Sequence, residues 1–151
     1  MSKPGAQQLA AESAIRAMVD RETTAWDALD ATALVDLIHP DAVWPWPPDP
    51  SAHDPLSWVM PMGRFNRARW FESWQQLFAD HELVHNRRQT LRICVSEQGD
   101  GGFAVVDVDT LWRHKTSGAL DRWQGRACKV YTRVGDHWYF IHQTGLLRYG
   151  S

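Results

Sequence analysis

Residues 102–114 read GFAVVDVDTLWRH, and after a short polar break residues 121–134 read DRWQGRACKVYTRV. Successive side chains of a β-strand point to opposite faces. In the first run Phe103, Val105, Asp107, Asp109, Leu111 and Arg113 therefore share one face. Ala104, Val106, Val108, Thr110, Trp112 and His114 share the other, which is apolar almost throughout. Similar runs flank this pair, so strands are expected at about Asn86 to Ser96, Gly102 to His114, Asp121 to Val134 and His137 to Leu147. The breaks between them, Gly99-Asp100-Gly101-Gly102, Thr116-Ser117-Gly118 and Gly135-Asp136, have hairpin length. Hairpin connections make neighbouring strands antiparallel, and the second half of the chain reads as a meander.

The first half is helical. Ile15, Met18, Val19, Glu22, Trp26 and Leu29 fall at helical spacing within a helix from about Gln8 to Leu29. Glu22 is the odd member, a carboxylate where the pattern calls for an apolar side chain. Asp30 is placed to cap a short second helix, Ala31 to Ile38, which Pro40 ends. Ala42-Val43-Trp44 reads as a short strand. A third helix runs from after Gly63 to about Ala79, burying Trp70, Trp74, Leu77 and Phe78. Between strand and helix lies a loop, residues 45–61, rich in proline and carrying Trp46 and Trp58. Proline on that scale forbids regular structure, and long irregular loops in compact domains are commonly functional. A pocket lid and a subunit contact are both open readings. Helices first and long strands last give an α+β layout.

A chain of 151 residues with 44% apolar side chains suits one domain with a full core. Nine tryptophans exceed what a core of this size needs, and a cavity or interface is expected to use them. The net charge of −2 provides no field to gather nucleic acid or acidic lipid. Arg64, Arg67 and Arg69, and the pair Arg87 and Arg88, read as solvated faces. Cys94 and Cys128 fit neither a redox pair nor a zinc knuckle. With no leader-like apolar segment before Gln8 and no run of roughly 18 apolar residues, a reduced, cytoplasmic, membrane-free protein is expected.

Three stretches carry a resemblance to a known family. Trp26 to Trp46, with Asp30, Pro40 and Asp41-Ala42-Val43-Trp44, resembles the helix–helix–strand opening of the nuclear transport factor 2-like superfamily. Gly63 followed by Trp70-Phe71-Glu72-Ser73-Trp74 is similar to the third-helix motif of the calcium/calmodulin-dependent protein kinase II association domain and its bacterial relatives. Val130-Tyr131-x-Arg133 and Trp138-x-Phe140-Ile141-His142 resemble the paired final strands of that group and of SnoaL-like cyclases. The resemblance implies one domain over residues 1–151, with three helices packed on the concave side of a cone-like, mostly antiparallel sheet around a pocket. It also implies a homodimer or larger homo-oligomer built through the outer sheet face. It fixes no reaction, because fold does not decide function.

In the association-domain pattern the positions matching Asp109 and Lys129 are pocket arginines, so the resemblance turns both toward the cavity. Asp109 then stands as an acid where the pattern has a base. A carboxylate among rings, with a lysine beside it, is suited to removing a proton next to a carbonyl. The alternative is an Asp109–Lys129 ion pair that keeps two strands in register. His142 is a candidate acid or base, sharing a face with Trp138, Phe140 and Thr144 by simple alternation. Lys129, Tyr131, Glu22, Trp46 and Trp58 are candidate ligand-binding residues. A cofactor-free lyase or isomerase, or a binder, for a small hydrophobic molecule is the leading expectation. A non-catalytic oligomerisation module is the second, with Ala104, Val106, Val108 and Trp112 as its buried outer face. Binding of a polysaccharide or peptide by the loop is the third.

His81-Glu82-Leu83-Val84-His85 has the H-E-x-x-H form of zinc peptidases, which needs one helix carrying both histidines. Asp80 and Asn86-Arg87-Arg88 instead mark the end of a helix and the start of a strand. No metal, no cofactor and no nucleotide-binding loop is expected.

Overall fold

The computed structural model describes residues 5–60 and 64–149. Pro61 and Gly63, which figured in the loop and third-helix readings, lie outside the described residues. The elements run α1 (Ala6–Asp27), α2 (Ala31–Asp36), β1 (Ile38–Val43), a 3-10 turn (Pro55–Ser57), α3 (Arg67–Asp80), β2 (His81–Val95), β3 (Gly101–His114), β4 (Leu120–Val134) and β5 (His137–Gln143).

Strands β2 to β5 form the expected antiparallel meander, and β1 joins its edge parallel to β5, giving the order β1-β5-β4-β3-β2. The sheet is curved and unclosed, and α1 lies on its concave face. Asp30 caps α2 as expected, its Oδ1 accepting from Ala33 N at 2.9 Å. Helix α2 ends at Asp36 rather than Ile38, and Ile38 opens β1. His39 precedes Pro40, and the residue before a proline is driven toward extended geometry. Strand β2 starts at His81, directly after α3. The H-E-x-x-H run is therefore strand, without the shared helix face that a zinc peptidase requires.

The core has two parts. One gathers Ile15 and Val19 of α1 against Val106, Ala127, Tyr131 and Phe140 of the sheet. The other surrounds Trp26, whose ring meets Trp74, Phe78 and Trp123 edge-on at 5.5–5.8 Å between centroids. These are favoured edge-to-face arrangements. Ala104, Val106, Val108 and Trp112 are all buried in this interior. They are thus not the outer sheet face that an assembly surface would use. The helices of the same chain cover them.

The loop of residues 45–60 is braced at both ends. Trp46 and Val59 exchange backbone hydrogen bonds of 2.7 and 3.0 Å. Arg148 N donates to Pro50 O at 2.9 Å, and His53 Nε2 lies 2.9 Å from Arg148 O. The final segment therefore ties the loop down while pairing with β4 through Arg126 and Leu147. At that crossing a Cβ on Gly125 would lie 2.9 Å from the backbone of both Leu146 and Leu147. Backbone cannot rotate aside as a side-chain tip can. Gly125→Ala is therefore expected to destabilise the fold by about 1–3 kcal/mol. Thermal unfolding checks this, and an unchanged Tm would contradict the close approach.

Candidate functional site

The concave face encloses a cavity of about 300 Å³. Its walls are rings: Trp26 from α1, Trp44 and Trp46 from the β1 end and loop, Trp70 and Trp74 from α3, and Trp123 from β4. Six of the nine tryptophans are used here, which accounts for their excess. Trp44 alone contacts four aromatic rings with centroids 5.0–6.5 Å away.

Among these rings sits one charged cluster. Glu22 comes from α1, Arg88 from β2, Lys129 from β4 and Gln143 from β5. Lys129 Nζ donates to Glu22 Oε1 at 3.0 Å and to Gln143 Oε1 at 2.9 Å. Arg88 Nη1 donates to the same Glu22 Oε1 at 2.9 Å, and Trp26 Nε1 does so at 3.3 Å. Glu22 Oε2 accepts no hydrogen bond among the described residues. The side chains of Lys129, Arg88 and Glu22 are 3%, 8% and 13% exposed. Asn86 holds Arg88 in place, accepting from Arg88 Nε at 3.4 Å and from Thr110 Oγ1 at 2.9 Å.

Burial alone pushes the Glu22 carboxyl upward, but Lys129 and then Arg88 outweigh it and hold its pKa at about 2. Burial pushes the Lys129 ammonium down, with Glu22 opposing that shift and Arg88 adding to it. One carboxylate faced by two cations leaves the cluster with one uncompensated positive charge. The buried Trp44 and Trp70 indole nitrogens and the Tyr131 hydroxyl have no hydrogen-bond partner among the described residues. Tyr131 lines a small recess of its own beside Glu22, Trp44 and Phe140. Burial raises its phenol well above the ordinary range.

Of the expected set, Glu22, Lys129 and Trp46 line the cavity, Tyr131 lines the neighbouring recess that Glu22 also reaches, and the others lie apart. Trp58 stays within its own loop, its Nε1 donating to Ala52 O at 2.7 Å. Asp109 stands on the opposite face of the sheet. Arg122 Nε and Nη2 donate to its two oxygens at 2.8 and 2.9 Å, and His85 Nε2 lies 3.1 Å away. Those hydrogen bonds from Arg122, first among the causes, keep its carboxyl well below the usual range. Neither the cavity role nor the Asp109–Lys129 pair survives, because Asp109 sits opposite Gln124 and Lys129 opposite Ala104. Asp109 and Ala104 have opposite parity along β3, so the side chains of Asp109 and Lys129 leave opposite faces. Asp107 is likewise outside, bound by Arg126.

His142 is displaced by a one-residue irregularity. Lys129 pairs with Gln143 and Tyr131 with Phe140, so three residues of β4 span four of β5. Such a bulge resets the alternation. Gln143 takes the inward position, and His142 Nδ1 lies instead 3.0 Å from Val43 O. Arg88 and Gln143 had no role in the sequence reading. Among the described residues, no group of three or more His, Cys, Asp or Glu side chains is placed to hold a metal ion. No helix there is long and apolar enough to cross a membrane.

No protein-family model matches the chain, and the curated proteins contain no significant match to it. Solved structures do match. An NTF2-like protein of Rhodospirillum rubrum superposes with a TM-score of 0.64 at 13% identity, covering 89% of this chain and 98% of its own. The fold is nuclear transport factor 2-like. Within the nuclear transport factor 2-like structures, a ketosteroid isomerase-like protein of Erwinia carotovora matches with a TM-score of 0.64 at 14% identity, over 87% of this chain and 92% of the other. A Xanthomonas campestris protein named as a calcium/calmodulin dependent protein kinase II association domain gives 0.54 at 14%, over 89% and 86%. At these identities the likeness establishes the fold and no activity.

The depressed pKa of Glu22 has a testable sign. Its ionised form favours the folded state fully above the ordinary value of 4.5, and that contribution is lost as pH falls through about 2. Glu22→Gln is expected to flatten the acid limb of stability and, by leaving Arg88 and Lys129 without their carboxylate, to cost about 3 kcal/mol at neutral pH. Urea denaturation over a pH series measures both. An acid limb equally steep in the variant would show that Glu22 is not the linked group.

Proposed function

We propose that this protein is a small-molecule pocket protein whose ligand is a hydrophobic, ring-sized compound bearing a carbonyl or similar oxygen. One observation carries the reading: a tryptophan-walled cavity contains one polar cluster, and beside it the buried Trp44 and Trp70 N–H groups and the Tyr131 hydroxyl lack partners among the described residues. Apolar walls with a few convergent polar groups are the usual make-up of a ligand site. An oxygen acceptor placed among Lys129, Arg88 and Tyr131 meets groups that lack full partners; an added donor meets Glu22 Oε2 and the Tyr131 oxygen.

In the catalytic form of this reading the chemistry is cofactor-free proton transfer beside the carbonyl, as in a lyase or isomerase. Glu22 then takes the part first assigned to Asp109. Lys129 and Arg88 hold the negative charge that develops on the oxygen. At rest their charge makes Glu22 a weak base; a ligand oxygen that draws the cations toward itself restores its basicity. Assembly through the outer sheet face is a separate proposal, supported by exposed Phe103 and Val134 there and not by the four inward side chains.

Tryptophan fluorescence tests the pocket directly. 2-Acetonaphthone is expected to quench emission saturably. Lys129→Met is expected to weaken its binding about tenfold, in line with ~1.5 kcal/mol for a hydrogen bond to a charged donor. Asp109→Asn, on the far face, is expected to leave binding unchanged. Quenching that never saturates, or that responds to Asp109 and not to Lys129, would overturn the proposal.

A further inference from the structure

We propose that Lys129 is an amine nucleophile that condenses with aromatic aldehydes and ketones inside the cavity. This rests on the pocket reading above and specifies its chemistry. Lys129 Nζ is buried against the cavity, with two acceptors for three N–H groups. Its only anionic partner, Glu22 Oε1, is shared with Arg88 Nη1 at 2.9 Å. Two cations thus compete for one carboxylate oxygen within apolar walls. The cluster becomes neutral by releasing one proton. Arginine does not release a proton in proteins, so the proton leaves from Lys129. The depression of the Lys129 ammonium by burial, with Arg88 adding to it, agrees with this geometry. A desolvated lysine beside a second cation is an established route to a nucleophilic amine. The charged groups beside Nζ are Glu22 from α1 and Arg88 from β2, with neutral Gln143 from β5 and the Phe140 ring 5.2 Å away.

The step balances within the site and needs no oxidant or reductant. The Nζ lone pair attacks the carbonyl carbon, a C–N bond forms, and the C=O π pair moves to oxygen. A proton passes from nitrogen to that oxygen, giving the carbinolamine. A second proton, from solvent, lets the oxygen depart as water, leaving an iminium ion at Lys129. The iminium restores the positive charge that Glu22 already faces. With a ketone that carries an α-C–H, such as 2-acetonaphthone, it also acidifies that C–H, whose proton passes to Glu22 while its electron pair forms the enamine. Glu22 Oε2, free of hydrogen bonds among the described residues, is the oxygen left to receive it.

Reductive trapping decides the matter. The protein is incubated with 2-naphthaldehyde and sodium cyanoborohydride at pH 7, then digested for peptide mass spectrometry. Lys129 is expected to gain the mass of the aldehyde less one oxygen, at least tenfold faster than Lys115. Lys115 is the internal control, its Nζ donating to the Phe78 and Ala79 carbonyls at 3.0 and 2.8 Å. Arg88→Met removes the competing cation, so the ammonium is better held and trapping at Lys129 is expected to slow. A purely structural lysine gives no such dependence. Labelling of Lys129 no faster than Lys115, with saturable fluorescence quenching by the same aldehyde, would overturn the amine chemistry and leave the pocket reading standing. Absence of both labelling and saturable quenching would overturn the two together.

Discussion

A single carboxylate oxygen joins the layers of this molecule. Glu22 Oε1 on α1 receives Arg88 from β2, Lys129 from β4 and the indole of Trp26 from its own helix. Residues 107 positions apart in sequence meet there. A buried ion cluster is weak evidence of stability, because desolvation of the charges offsets their attraction, but removal of one member leaves the others uncompensated. Its effect is therefore on geometry. Helix α1 cannot slide along the sheet without parting these atoms, and the aromatic walls are positioned by where α1 lies.

Placement of the ring walls follows from the same arrangement. Trp26 stands one helical turn after Glu22, so the turn that anchors the helix also aims an indole at Trp74, Phe78 and Trp123. The loop that supplies Trp46 is held by the end of the chain, through Arg148 with Pro50 and His53. The cavity is accordingly enclosed by segments from the beginning, middle and end of the polypeptide.

Much of this was legible in the residues. The meander, the three helices, the Asp30 cap and the inward carboxylate at Glu22 follow from period and turn chemistry. Alternation also sorted the faces of β3 correctly. It did not say which face the helices cover, and the carried-over pocket position put Asp109 on the wrong one. The better signal was local: Arg122 and Arg126 lie across the hairpin from Asp109 and Asp107, a pattern of exposed cross-strand ion pairs. Arg88 was hidden because the Arg87-Arg88 pair resembles a solvated edge; only its register opposite Val108 reveals an inward position. His142 and Gln143 exchanged places through a bulge, which periodicity counted from one end of a strand cannot detect.

That bulge has a consequence for how such a scaffold diversifies. Moving the extra residue beyond Gln143, so that pairing runs regularly from Phe140, would put His142 opposite Lys129 and turn an imidazole toward the cavity in place of an amide, with every strand still paired. A change of register, rather than a change of letter, would then alter which functional groups the interior offers, so variants of this architecture can differ in chemistry while their residues look alike when written in a row.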